Sequence, residues 1–175
     1  NQVRAYMKAA GPNRQIDWML ESRVPIIDRT LPLFTAASQE ADIRAAVAFA
    51  EKENVRIIIT GGIEAARVAP LLKEKNIPVI LGPVLTLPRR DDDHHAAPFR
   101  AAGELVKAGV KIAIASGDAN NARMLPYHAA MAVAWGLPRE EAIKAITINA
   151  AELLGVADRL GSIEPGRVAN LQIAK

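Results

Sequence analysis

Four short runs of apolar, mostly β-branched residues punctuate the chain, at 31–35, 55–60, 77–81 and 110–115. The second and fourth are unbroken after a single basic residue, Arg56 and Lys111. Strands buried on both faces read this way, whereas strands with one wet face alternate. Helical stretches lie between the runs. Ser38 is placed to cap a helix over 39–53, with Glu40 and Asp42 near its positive end and Ile43, Ala46, Val47 and Ala50 on one face. A second helix is predicted over 63–75, kinked at Pro70, and a third over 97–108, closed by Gly109. Strands joined by single helices make right-handed βαβ units and a parallel sheet. The runs start about 22–33 residues apart, near the roughly 30 of one barrel unit. Four such units make half of a (β/α)8 barrel or a small doubly wound domain, and periodicity leaves both open.

Beyond the fourth run the pattern becomes helical, over 121–136, from Pro138 to Ile146, and from Asn149, read as a cap, to Leu154. The tail carries a Pro165-Gly166 turn and then an alternating stretch that predicts a strand. At the other end, 14–22 reads as helix and Pro25 opens another short one to Arg29. The chain starts at Asn1 inside a charged, helix-like stretch, so it is expected to be a piece of a longer one.

Composition narrows the function. Half of the residues are hydrophobic and 23% are charged, which is globular rather than disordered. A net charge of +3, scattered along the chain, gives no basic stripe, so nucleic acid is not an expected partner. There is no Cys, which excludes disulfides, zinc ribbons and a thiol nucleophile. No apolar run approaches the roughly 20 residues of a membrane helix, and no signal-peptide pattern opens the chain. The compartment stays unassigned.

The most informative stretch is the last sixty residues or so. It holds, in order, Ser116-Gly117-Asp118, Pro126-Tyr127-His128-Ala129-Ala130, Gly136-Leu137-Pro138-Arg139-Glu140-Glu141-Ala142, Thr147-Ile148-Asn149-Ala150-Ala151-Glu152-Leu153-Leu154-Gly155 and Gly161-Ser162-Ile163-Glu164-Pro165-Gly166-Arg167. This succession resembles the C-terminal region of amidohydrolase-superfamily enzymes, on the imidazolonepropionase-like and cyclic amidase side. The resemblance implies that the four runs are the fifth to eighth strands of a TIM barrel. Residues 1–160 would then be half of a metal-dependent hydrolase barrel, and 161–175 would supply a strand of a small β-sandwich. It also implies hydrolysis, in the intact parent, of C–N bonds other than peptide bonds in cyclic amide or N-acyl substrates. The alternative is a barrel without metal that binds a ligand or partner.

In that family a divalent metal, zinc above all, activates water, held by His and carboxylate ligands at strand ends. Of the positions implied here, Thr35 stands at the fifth strand's His, Gly61 at the sixth's, and only Asp118 matches. Asp118 is thus the expected metal ligand and catalytic proton shuttle, although a carboxylate there also suits capping of the next helix. One ligand cannot hold a catalytic zinc, which needs about three, so this chain alone is expected to bind no metal and to be inactive. His94 and His95, beside Asp91, Asp92 and Asp93, are candidates for touching substrate, or a solvated loop. His128 and Arg89 are further candidates, with packing and surface ion pairing, shared with Arg90, as their plainer readings. The Gly61-Gly62 turn suits an anion or simply a tight bend. Trp18 and Trp135 are expected in the core. Exposed edges on the first and last strands predict pairing with a second copy or with the missing half.

Overall fold

The computed structural model describes residues 2–9, 16–88, 90 and 93–171. Three short helices, α1 (Gln2–Lys8), α2 (Trp18–Glu21) and α3 (Val24–Ile27), precede strand β1 (Leu33–Ala37). There follow α4 (Glu40–Glu53), β2 (Ile57–Gly61), a 3-10 turn (Ala65–Val68) leading into α5 (Ala69–Glu74), and β3 (Val79–Leu81). Helix α6 (Ala97–Lys107), β4 (Ile112–Ile114), α7 (Leu125–Ala134), α8 (Arg139–Ile146) and α9 (Ile148–Leu153) complete the order. The strands form one parallel sheet in the order β1-β2-β3-β4. A doubly wound sheet reverses direction at a switch point; this one never does. Right-handed crossovers that always step the same way put every connecting helix on one face, which is the construction of a (β/α) barrel arc.

Register divides the strand residues between two faces. Leu33, Ala37, Ile57, Ile59, Val79, Leu81, Ile112 and Ile114 join the main core, packed with Ile43 and Val47 of α4, Leu72 of α5 and Leu105 of α6. Ile58 and Ala113 point the other way, against Leu153 and Ala150 of α9, with Ile80 alongside. The last helix therefore folds back under the concave face near the strands' N-terminal ends. Asn149 fixes it there: the residue is not a cap but lies inside α9, and its Nδ2 donates to the Ile112 carbonyl at 3.0 Å. Gly161 fixes the turn that follows. With φ at +98°, a Cβ there would stand 2.9 Å from the Ile148 Cα, so only glycine permits the approach.

Several boundaries differ from the sequence reading. Each ladder begins about two residues late, because Val55, Ile77 and Val110 are buried core residues that lie before the strands rather than in them. Pro70 kinks nothing; it sits in the first turn of α5, where its missing N–H costs no helical bond. The tail makes no strand among the described residues: 162–171 run as turns and extended chain, with the Arg167 amide donating to the Glu164 carbonyl. Residues 172–175, where the expected sandwich strand would end, lie outside the described residues. Trp18 is 77% exposed and Trp135 half-buried, so neither belongs to the core.

Ser38 does not cap α4 with its side chain. The role falls to Glu64, which is 4% exposed and comes from the turn after β2. Its Oε2 accepts the Glu40 amide at 2.8 Å, and its carboxylate takes two further bonds from Arg90, Nε at 2.8 Å and Nη2 at 3.2 Å. One carboxylate thus joins the start of α4, its own turn and the loop after β3. Burial alone would raise its pKa; the Glu40 N–H and the Arg90 guanidinium outweigh that and hold it below the usual 4.5. A depressed carboxylate contributes stability above its unfolded pKa and loses it as pH falls. Urea denaturation should therefore show Glu64→Ala weaker by about 2 kcal/mol at neutral pH. The gap to wild type should close as pH drops below 4.5.

Candidate functional site

The C-terminal rim of the sheet gathers the ends of β1 to β4 and the turns that leave them, and the expected site residues distribute around it unevenly. Asp118 lies in the loop directly after β4 and is exposed. Its Oδ1 accepts the Asn121 amide and its Oδ2 the Asn121 Nδ2, both at 2.9 Å, while Ser116 Oγ donates to the Asp118 carbonyl at 3.1 Å. The carboxylate therefore caps the turn that enters α7. Each oxygen keeps a second lone pair open towards solvent.

The fifth-strand position needs correcting. Thr35 pairs with Ile59 and shares the parity of Leu33 and Ala37, so it faces the helices, and its Oγ1 is buried without a partner. Its neighbour Ala36 is exposed on the concave side, in register with Thr60. A ligand reaching the barrel axis would have to stand at Ala36, which offers none. At the sixth strand, a Cβ on Gly61 would come 2.6 Å from Ser38 Oγ, and the backbone holds φ at +93°. A histidine does not fit there without local movement. The Gly62 amide is spent on the Ala37 carbonyl at 3.0 Å, so this pair makes a tight bend rather than an anion cradle.

Among the described residues no hydrogen bond or ion pair links a histidine to Asp118. His94 Nδ1 accepts the Ala96 amide at 3.1 Å, ordering the entry to α6. Its ring lies 4.3 Å from that of His95, which meets the edge of Trp135 at 6.2 Å. Trp135 in turn contacts Phe99 and carries Arg100 over its face at 5.1 Å. The pair is thereby drawn to the outer helix layer, away from the concave side. Arg89, Asp91 and Asp92 lie outside the described residues. Arg90 is committed to Glu64, and Arg67 to Asp93. Neither Glu64 nor its two connections was read from the sequence; an acidic residue three positions past a strand-end glycine was the only signal.

His128 is 4% exposed on α7, and its Nδ1 accepts two backbone amides, Val84 and Leu85, each at 3.1 Å. That geometry requires a proton-free Nδ1 and commits this nitrogen to packing. It ties α7 to the loop that follows the cis Gly82–Pro83 bond. Among the described residues no three His, Asp or Glu side chains come close enough to hold a metal ion. A lone exposed carboxylate does not fit a catalytic metal site, which takes about three protein ligands.

Burial lowers the His128 pKa below 6.5. The unfolded chain then binds more protons than the folded one in that window, so the stability held in this clasp is complete above pH 6.5 and declines below it. His128→Gln, whose amide oxygen still accepts an N–H, should flatten the melting-temperature profile on the acid side of pH 6.5, as read by circular dichroism.

Comparison with known proteins adds the family. The sequence profile of the amidohydrolase family matches residues 37–175. An imidazolonepropionase from Porphyromonas gingivalis is 30% identical over 137 residues, 76% of this chain and 30% of that protein. One from Flavobacterium johnsoniae is 37% identical over 82 residues, 45% of this chain and 20% of its own. An amidohydrolase structure from Thermotoga maritima superimposes with a TM-score of 0.83 at 30% identity, covering 96% of this chain and 46% of its own. A zinc-bound adenosine deaminase from Xanthomonas campestris, at 22% identity and a TM-score of 0.56, shares the fold. The chain spans less than half the length of each of these. With its singly wound sheet, its Asp118 turn and its Asn149 anchor in place, it belongs to the amidohydrolase family and is imidazolonepropionase-like.

Proposed function

We propose that this chain forms the C-terminal half of a hydrolase barrel acting on C–N bonds other than peptide bonds, in a cyclic amide or N-acyl small molecule. The observation that carries the reading is Asp118: a carboxylate on the rim immediately after the last of four sequential parallel strands, within a stretch that matches the amidohydrolase family. Family members are generally metal-dependent, and a metal would lower the pKa of bound water. Since the described donor set does not fit such an ion, further ligands would have to come from outside the described residues. Asp118, exposed and with lone pairs to spare, is the group able to take a proton from an attacking water and return it to the departing nitrogen. The tail after Gly166 would join strands from elsewhere in a small β-sandwich.

The uncovered sheet edges extend the proposal. Phe34 on β1 is 44% exposed and Leu31 before it 56% exposed, and parallel strands seldom tolerate an open apolar edge. Four further βα units, from a second copy or from preceding sequence, would close the barrel.

Two measurements test these points. For the full-length gene product, metal analysis and a screen of cyclic amides and N-acyl compounds should find a metal-dependent hydrolase. Asp118→Asn should slow it by about a hundredfold or more; activity unaffected by that change removes Asp118 from the chemistry. Light scattering of the 175-residue chain should report an assembly larger than one copy, and a monomer at high concentration would refute the edge pairing.

A further inference from the structure

The opposite end of the sheet carries a second feature, unconnected with Asp118. A cavity of about 540 Å³ opens where the strands begin, within the size range of small-molecule sites. Each of the four turns that enter a strand contributes a cation to its wall, Arg29 before β1, Arg56 before β2, Lys75 before β3 and Lys111 before β4, and Lys73 adds one from the last turn of α5. Two carboxylates share the wall and are already engaged, Glu51 with Lys75 at 2.6 Å and Glu152 with Lys111. Arg29, Arg56 and Lys73 have no carboxylate partner among the described residues.

The two arginines are nevertheless held in place. Arg29 Nη1 donates to Asn54 Oδ1, and Arg56 Nη1 donates to the Arg29 carbonyl, both at 3.3 Å. Arg29 does this from a left-handed backbone, φ +68°, a conformation few non-glycine residues adopt. Lys73 lies across the glycine turn at Gly109, its Nζ 3.3 Å from where a Cβ on that residue would stand. Like charges gathered around one cavity and tethered only by neutral groups repel one another, and an anion between them relieves that repulsion. Ile57, Leu72 and Leu153 are among the apolar residues that complete the lining.

We infer that this cavity is a binding site for a compact small molecule with two or more negative charges, gripped by Arg29, Arg56 and Lys73. Guanidinium forks match the paired oxygens of phosphate and carboxylate alike, so both sources enter the test. The site lies at the far end of the strands from the rim, which makes it a ligand site separate from hydrolysis.

Isothermal titration of the chain with pyrophosphate, and separately with citrate, gives the readout. The expected result is saturable one-to-one binding that weakens as salt rises. The Arg29→Gln/Arg56→Gln variant should lose affinity by about tenfold or more. The Arg44→Gln/Arg139→Gln variant, which removes the same charge elsewhere, should keep it. Binding of pyrophosphate alone identifies a phosphate-bearing ligand, binding of citrate alone a polycarboxylate, and binding of both the shared polyanion chemistry. No heat with either probe, or equal loss in both variants, overturns the assignment. Circular dichroism of each variant separates lost binding from lost folding.

Discussion

A parallel sheet wound in one direction is covered by its own crossover helices on only one side, and most of this structure follows from that. Helices α4, α5 and α6 bury the convex face, and most of the strand residues that point towards them are Ile, Leu or Val. The concave face has no such cover of its own. Part of it is sheltered by α9, which returns beneath Ile58 and Ala113. The remainder, with Phe34 and Ala36 on the edge strand, stays open. The same geometry sorts the turns: those leaving the strands gather at one end with Asp118, and those entering gather at the other with the basic residues.

How much of this was legible depended on whether a feature was carried by local pattern or by contact between distant segments. The β-branched runs announced the strands, and Gly109 announced the end of α6. Their onset was misjudged because Val55, Ile77 and Val110 are as buried as strand residues without belonging to a ladder. Parity was the costlier error. A shift of one residue turned Thr35 from the helix side to the concave side, which a pattern of consecutive apolar residues cannot reveal. Expecting Trp18 and Trp135 in the core failed for a related reason, since size and hydrophobicity alone do not place a side chain.

Contacts across sequence explain what was missed altogether. Glu64 belongs to the turn after β2, yet it caps the helix of the preceding unit and receives an arginine from the following one. His128, for which the sequence did offer packing as the plainer reading, similarly reaches across from α7 to two amides after β3, and those partners are what the sequence could not name. Both groups keep the rim turns in fixed relation to one another without touching the concave face. They are the polar counterpart of the apolar core, joining neighbouring βα units at the rim end.

The return of α9 has one more implication. Leu153, lodged against Ile58 and Ala113, plugs the lower end of the concave surface, and the Gly161 turn closes over the helix from below. In a completed barrel such a stopper would set how deep the central well reaches below the rim. The depth would be chosen by a segment that follows every strand in sequence, which lets the floor change while the barrel wall stays the same.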